Sequence, residues 1–370
     1  MAKRTTAFRE LFLIGLLATA TSTSLGESAS QPAPAAARPR AIAVPGVSGR
    51  LTAKDIGLVI NAADPYSVEV GQYYIQARKL RPEQVLRVRL PHKPALAPDE
   101  FEALRQAIES HFGPATQALA LAWSAPYAVA CNSITGALAL GYVGSLCGDA
   151  AHGCAPTRLS PYFNARTVRP YADLKLRPSM LIAAGDIAGA KALIDRGVKA
   201  DHSLGLRGAP PVHAHFIVTA DRARNARAPL FPPPGSLRRA GVAIHVDKAQ
   251  ALQDAERVLV YQIGAARVEK LDTLDWVPGA LADHFTSFGG RLDGSGGQMS
   301  ALAWLDAGAT ASYGTVSEPC AHPEKFPHPQ VLLLNYVQGS TALEAYWKSV
   351  AWPQQGVFVG EPLAAPFARR

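Results

Sequence analysis

The sequence predicts an α/β fold: a doubly wound, mostly parallel sheet with helices on both faces. Three observations predict it. Short apolar runs recur along the chain, among them GLVINAAD (57–64), VLRVRL (85–90), ALALAW (118–123) and VLVYQIG (258–264). Segments of helical period separate many of them, which is the pattern of βαβ units. The 370 residues are 48% hydrophobic and 18% charged, enough apolar material to cover a sheet on both sides.

Each element has a local reason. The run 57–64 reads as a buried strand, and SVEVGQYYIQARKL (67–80) as the following helix with Ser67 as its N-cap. PDEFEALRQAIESHF (98–112) is amphipathic and carries acidic residues in its first turn, where they suit the helix dipole. Residues 132–178 read as a helix followed by an irregular insertion. SMLIAAG (179–185) and VHAHFIVT (212–219) are strands flanking a helix that begins at DIAGAKAL. AIHVD (243–247) and VLVYQIG are strands separated by a charged helix. GGQMSALAWLDAGA (296–309) is a helix, ASYGTV (311–316) a strand, STALEAYWKSVA (340–351) a helix and GVFVG (356–360) a final strand. The prolines between 319 and 329 predict a rigid surface loop.

The N-terminus carries Lys3, Arg4 and Arg9, then the apolar run Leu11–Ala20, then small residues. That is the layout of a signal peptide over residues 1–30, and the run is too short to span a bilayer. A Pro/Ala-rich linker over 31–50 precedes a single α/β domain over 51–370. The expected location is therefore exported: periplasmic, envelope-associated or secreted. Export puts Cys131, Cys147, Cys154 and Cys320 in an oxidising compartment. Cys147 and Cys154 bracket a short polar loop and predict a local disulfide, which leaves Cys131 and Cys320 paired with each other or free. The formal charge of +8 is scattered, with no basic run, so no nucleic-acid partner is expected.

Chemistry in such sheets collects at the carboxyl ends of strands. That rule brings Asn61, Asp64, Ser124, Cys131, His284 and Cys320 to one edge. Cys320 is the candidate nucleophile, because an adjacent imidazole lowers a thiol's pKa. His284 is the candidate acid–base and Asp283 its candidate orienter. Gly289 and Gly290 are candidate oxyanion donors, and Asn61, Asp64 and Glu318 complete the candidate ligand-binding set. A metal set of Asp283, His284, Glu318, His322 and His328 has suitable residue types but no ligand spacing, so no metal is expected. Neither G-x-S-x-G, nor G-x-G-x-x-G, nor a Walker motif occurs, so no cofactor is expected either.

The His-then-Cys order at the ends of neighbouring strands resembles the caspase and gingipain arrangement, although the caspase pentapeptide is absent and Phe285 follows His284. The segments NAADPYS (61–67), ADHFTSFGG (282–290), GATASYGTVSEPCAHPEKFPHP (308–329) and EAYWKSVAWPQQGVFVGEPLAAP (344–366) carry a second resemblance. Together they resemble an uncharacterised family of exported bacterial proteins found in species with the exosortase (PEP-CTERM) sorting system. That resemblance implies an exported α/β protein and brings no catalytic residues. Two functional classes follow. One is a caspase-like cysteine hydrolase, a peptidase using Cys320 and His284. The other is a non-catalytic envelope or surface protein with structural disulfides that binds a partner protein or a glycan.

Overall fold

A computed structural model describes residues 41–148 and 150–369. The expected signal peptide over 1–30 and residues 31–40 of the expected linker lie outside the described residues. The strands, in chain order, are β1 (Ile56–Asn61), β2 (Val85–Val88), β3 (Ala95–Leu96), β4 (Ala118–Leu121), β5 (Ala128–Val129), β6 (Asn132–Ser133) and β7 (Ser179–Leu181), then β8 (Val212–Val218), β9 (Gly235–Leu237), β10 (Val242–Lys248), β11 (Val258–Ile263), β12 (Trp276–His284), β13 (Ala311–Thr315) and β14 (Gly356–Gly360). Eleven of them form one sheet in the order β2-β1-β4-β7-β14-β13-β12-β11-β8-β10-β9.

Nearly every pairing in this sheet is parallel; the exceptions are β13 with β14 and β9 with β10. β1, β4, β7, β11, β13 and β14 are buried at every residue, as strands covered on both faces must be. Alternation along β1 sends Leu58 and Ile60 into one apolar core and Val59 into the other. Helices Pro65–Arg78, Ile187–Ala200, Pro329–Val337 and Ala342–Ser349 contribute to the first core. Helices Pro98–His111 and Ile134–Leu140 cover the second, the former through Phe101, Leu104 and Ile108 at helical spacing.

The antiparallel contact of β13 with β14 divides the sheet into two blocks. β2, β1, β4, β7 and β14 run one way, and β13, β12, β11, β8 and β10 run the other. The last strand in sequence is thus the central seam. Its Phe358 stacks on Trp347 at 4.4 Å, and the Trp347 indole donates to the Ser179 carbonyl at 2.8 Å. These contacts tie the C-terminal helix to both β14 and β7.

Several expected elements shift. The first helix starts at Pro65, not Ser67: Asp64 is its N-cap, accepting from the Tyr66 amide at 3.0 Å, and Pro65 has the φ that a first helical residue needs. No helix separates β10 from β11; Asp254 and Arg257 there adopt left-handed φ values of 49° and 50°. The proline-rich stretch after β13 ends in helix Pro329–Val337 rather than continuing as loop. Residues 41–50 carry no regular structure, yet the Val47 amide donates to Gln338 at 2.8 Å and the Ala43 carbonyl accepts from Asn164 at 2.9 Å.

Candidate functional site

The reversal at β13–β14 corrects the expectation of a shared edge. Asn61, Asp64 and Ser124 follow the carboxyl ends of β1 and β4. His284 and the Cys320 segment follow β12 and β13, which run the opposite way, so they lie at the other edge of the sheet.

The expected Cys–His dyad is not assembled. Cys320 is disulfide-bonded to Cys154, and Cys131 to Cys147. The expected Cys147–Cys154 and Cys131–Cys320 pairings are therefore both replaced, and none of the four cysteines is a free thiol. His284 is fully buried as the last residue of β12. Its Nδ1 accepts from the Trp304 indole at 2.9 Å, and its Nε2 is 3.0 Å from the Met299 carbonyl. The Trp304 bond makes Nδ1 an acceptor, so the proton sits on Nε2 and is donated to Met299. Burial pushes the imidazole down to about 4. An imidazole with both nitrogens committed inside the core cannot exchange protons with a substrate.

Asp283 does not orient His284. It is fully buried, ion-paired with the buried Arg227, and accepts from the Gln262 amide at 2.8 Å. Gly289 and Gly290 serve packing. The Gly290 amide donates to the Thr315 carbonyl at 2.9 Å, and the Gly289 carbonyl accepts from the Ala301 amide at 2.7 Å. A Cβ on Gly290 would meet the Gly314 carbonyl oxygen at 2.4 Å, so this glycine permits two backbones to touch. Asn61 is also committed: its amide group bonds both the NH and the carbonyl of Leu90, stapling β1 to the segment after β2. Glu318 accepts from the Cys320 amide at 2.8 Å. It shares a small cavity of about 180 Å³ with Arg224, Thr286, Ser287 and Cys320. His322 pairs loosely with Glu324 at 4.0 Å, and His328 is pushed down to about 4 by burial. The five-residue metal set has no common centre among the described residues.

Asp64 does reach a cleft. β2 lies on one side of β1 and β4 on the other, so the chain reverses its winding between β1 and β4 and leaves a crevice at their carboxyl ends. A cavity of about 430 Å³ occupies that place, within the range of small-molecule sites. Its walls carry Asp64, Tyr66, Ser124, Tyr127 and Asp293, with apolar surface from Pro94, Leu292 and Leu302. The Ser124 hydroxyl donates to the Ala184 carbonyl at 3.0 Å, and Tyr66 Oη accepts from the Ala184 amide at 2.8 Å. These bonds fix the floor at the end of β7. Tyr127 donates to Asp293 at 2.9 Å. Burial and that hydrogen bond push the Tyr127 phenol up to about 12, so it stays a neutral donor.

Asp64 is 6% exposed. Its Oδ1 caps the helix, while Oδ2 has no hydrogen-bond partner; His92 Nδ1 lies 3.9 Å from it. A buried carboxylate oxygen without a donor is costly. At the second reversal, between β8 and β11, two stretches of backbone pack closely. There the Arg224 carbonyl packs against Gly264 so closely that a Cβ would clash with it. A wider groove of about 850 Å³ opens between the 202–206 segment, the β9 turn and the C-terminal tail, away from the carboxyl ends of the strands. Its His202 is already bonded to the Ala368 carbonyl and to Arg50, so the groove lacks the unmet polar atom that marks the crevice.

No protein-family model matches the chain, and no curated protein matches it. A solved structure that it resembles is the crystal structure of the Arg-specific cysteine proteinase gingipain R (RGPB). The likeness has a TM-score of 0.45 at 11% identity and covers 87% of this chain and 80% of that one.

The strand-end rule points to Asp64 and Ser124, which line this crevice; it does not point to Tyr66, Tyr127 or Asp293, which line it too. Tyr66 enters because the helix starts at Pro65 rather than Ser67. Asp293 arrives from the other block of the sheet, which no local pattern announces.

Proposed function

We propose that the chain is an exported ligand-binding protein whose crevice at the β1/β4 reversal takes a hydroxyl-rich glycan unit. The observation that carries this is Asp64, a buried carboxylate with one oxygen unpaired on the wall of a cavity of about 430 Å³. The crevice carries two carboxylates, Asp64 and Asp293, which suit the O–H donors of a sugar, and its Lys93 is ion-paired with Glu100. Its tyrosine and leucine surfaces suit a sugar's C–H face. The two disulfides support export, as does the resemblance to exported proteins of exosortase-carrying species. No helix among the described residues is long and apolar enough to cross a membrane. The test is a glycan array probed with the labelled protein, followed by calorimetry with the best ligand. Saturable binding at one site is expected. No binding across the array, or binding that ignores substitution of Asp64, refutes the proposal.

One observation favours a second reading. The Cys154–Cys320 bridge lines the small cavity that Arg224, Thr286 and Glu318 also border. Its reduction would expose a thiol there, as a cysteine peptidase would need. Peptide hydrolysis that appears only after reduction and vanishes in Cys320→Ser would favour this reading over the first.

A further inference from the structure

Strand β8 carries His213 and His215, two residues apart, so the pleat puts both on one face. Ala214 and Phe216 point the other way, into the larger core. β10 pairs with β8 in parallel, with His245 directly opposite His215. Three imidazoles therefore stand side by side on one patch of sheet. His215 and His245 stack with centroids 4.7 Å apart and planes 15° from parallel. His213 Nδ1 lies 2.9 Å from His245 Nε2. One ring nitrogen from each of the three falls within 4.8 Å of the other two.

The trio is costly as it stands. His215 is only 8% exposed, and neither of its ring nitrogens has a hydrogen-bond partner. Buried polar atoms are nearly always satisfied, so a buried imidazole with two orphan nitrogens needs an explanation. Among the described residues no carboxylate falls within the cluster itself; Arg257 and Glu256 act on His213 from outside it. Burial, and the neighbouring histidines after it, push His215 down to about 4 and His213 below its ordinary value. An unprotonated imidazole nitrogen ligates through its lone pair.

We propose that His213, His215 and His245 bind one zinc ion through three imidazole nitrogens. Zn–N bonds of ~2.0–2.1 Å in tetrahedral geometry set neighbouring nitrogens roughly 3.3 Å apart. The separations here, 2.9 Å between His213 Nδ1 and His245 Nε2 and no more than 4.8 Å across the trio, bracket that value, so small ring rotations close the site. Two adjacent strands form a rigid scaffold for it. An all-imidazole set selects zinc-like transition ions over magnesium and calcium, which require oxygen donors. Three protein ligands leave a fourth position for solvent or an exogenous donor. The half-buried rings of His213 and His245 give the ion its way in.

The experiment uses the tag-free full-length chain, stripped with a chelator and titrated with zinc chloride by calorimetry. One ion per chain is expected, with affinity in the micromolar range or tighter. His215→Ala and His245→Ala, each checked for native circular dichroism, should weaken binding roughly 100-fold or more. His322→Ala, at a surface histidine, should not change it. Cobalt, as a spectroscopic stand-in, should give the visible bands of a tetrahedral site in the wild-type chain and not in His245→Ala. His245 lies on a less buried strand, so this variant stands as the test if His215→Ala fails to fold. The proposal is overturned if the stripped chain binds no zinc saturably. It is also overturned if the stoichiometry and affinity survive both substitutions, or if magnesium binds in zinc's place.

Discussion

Asp64 performs two tasks that substitution can separate. Its Oδ1 caps helix Pro65–Arg78 through the Tyr66 amide, and its Oδ2 waits unpaired on the crevice wall. Asn caps helices about as well as Asp. Asp64→Asn therefore keeps the cap and removes the charge. A hydrogen bond to a charged group contributes ~1.5–3 kcal/mol, so the variant should bind the glycan ~10–150-fold more weakly. Its melting temperature should stay at the wild-type value or rise slightly, because a buried unpaired carboxylate is gone. Asp64→Ala loses the same binding and also the cap, about 1 kcal/mol. A chain of 370 residues has an unfolding entropy near ~0.8 kcal/mol/K, so that loss lowers the melting temperature by roughly 1–2 °C. Calorimetric titration and a thermal melt on the three proteins read both quantities. The reasoning fails if Asp64→Asn melts as low as Asp64→Ala, which would make the charge structural. It fails equally if Asp64→Asn binds the glycan like wild type.

Other consequences are independent of the ligand. The Cys154–Cys320 bridge spans 166 residues and the Cys131–Cys147 bridge 16. Loop-closure entropy assigns them about 5 and about 3 kcal/mol. Cys154→Ser/Cys320→Ser should therefore be the less stable double variant in non-reducing denaturant titrations, and the opposite order would contradict this. His284 is neutral and buried, with a folded pKa of about 4 against the usual 6.5. Its contribution is full above pH 6.5 and is lost as pH falls toward 4, up to roughly 3 kcal/mol. Denaturation midpoints between pH 7 and 4 should fall accordingly, and less steeply in His284→Gln. A Cβ on Gly314 would sit 2.3 Å from the Gly289 carbonyl carbon and 2.4 Å from the Gly290 nitrogen. Both obstacles are backbone, so Gly314→Ala should cost about 3 kcal/mol, read from urea midpoints.

The strands were legible because burial on both faces writes continuous apolar runs, as in LVIN of β1 and VLVYQI of β11. Boundaries moved where a cap was misread. Ser67 looked like the N-cap, but the Asp64–Pro65 pair starts the helix one turn earlier, and the Ser67 hydroxyl accepts from the Asn61 amide instead. The direction of the second block was not legible. It depends on β14 inserting between β7 and β13, a contact between distant segments that no local period encodes. That one reversal separates His284 and Cys320 from Asp64, so the strand-end rule gathered two edges into one. Cysteine pairing failed for the same reason: sequence proximity favoured Cys147 with Cys154, whereas the fold brings Cys320 to Cys154. The histidine trio was readable in part. H-x-H in VHAHFIVT places two imidazoles on one strand face, and only the partner strand that supplies His245 was hidden.

The central claim is that the cysteines hold the fold while the crevice at β1/β4 binds. A non-reducing peptide map of the native protein, alkylated with iodoacetamide before digestion, tests its first half directly. The account predicts no alkylated cysteine, with Cys131 linked to Cys147 and Cys154 linked to Cys320. An alkylated Cys320 in the native, non-reduced protein would contradict it.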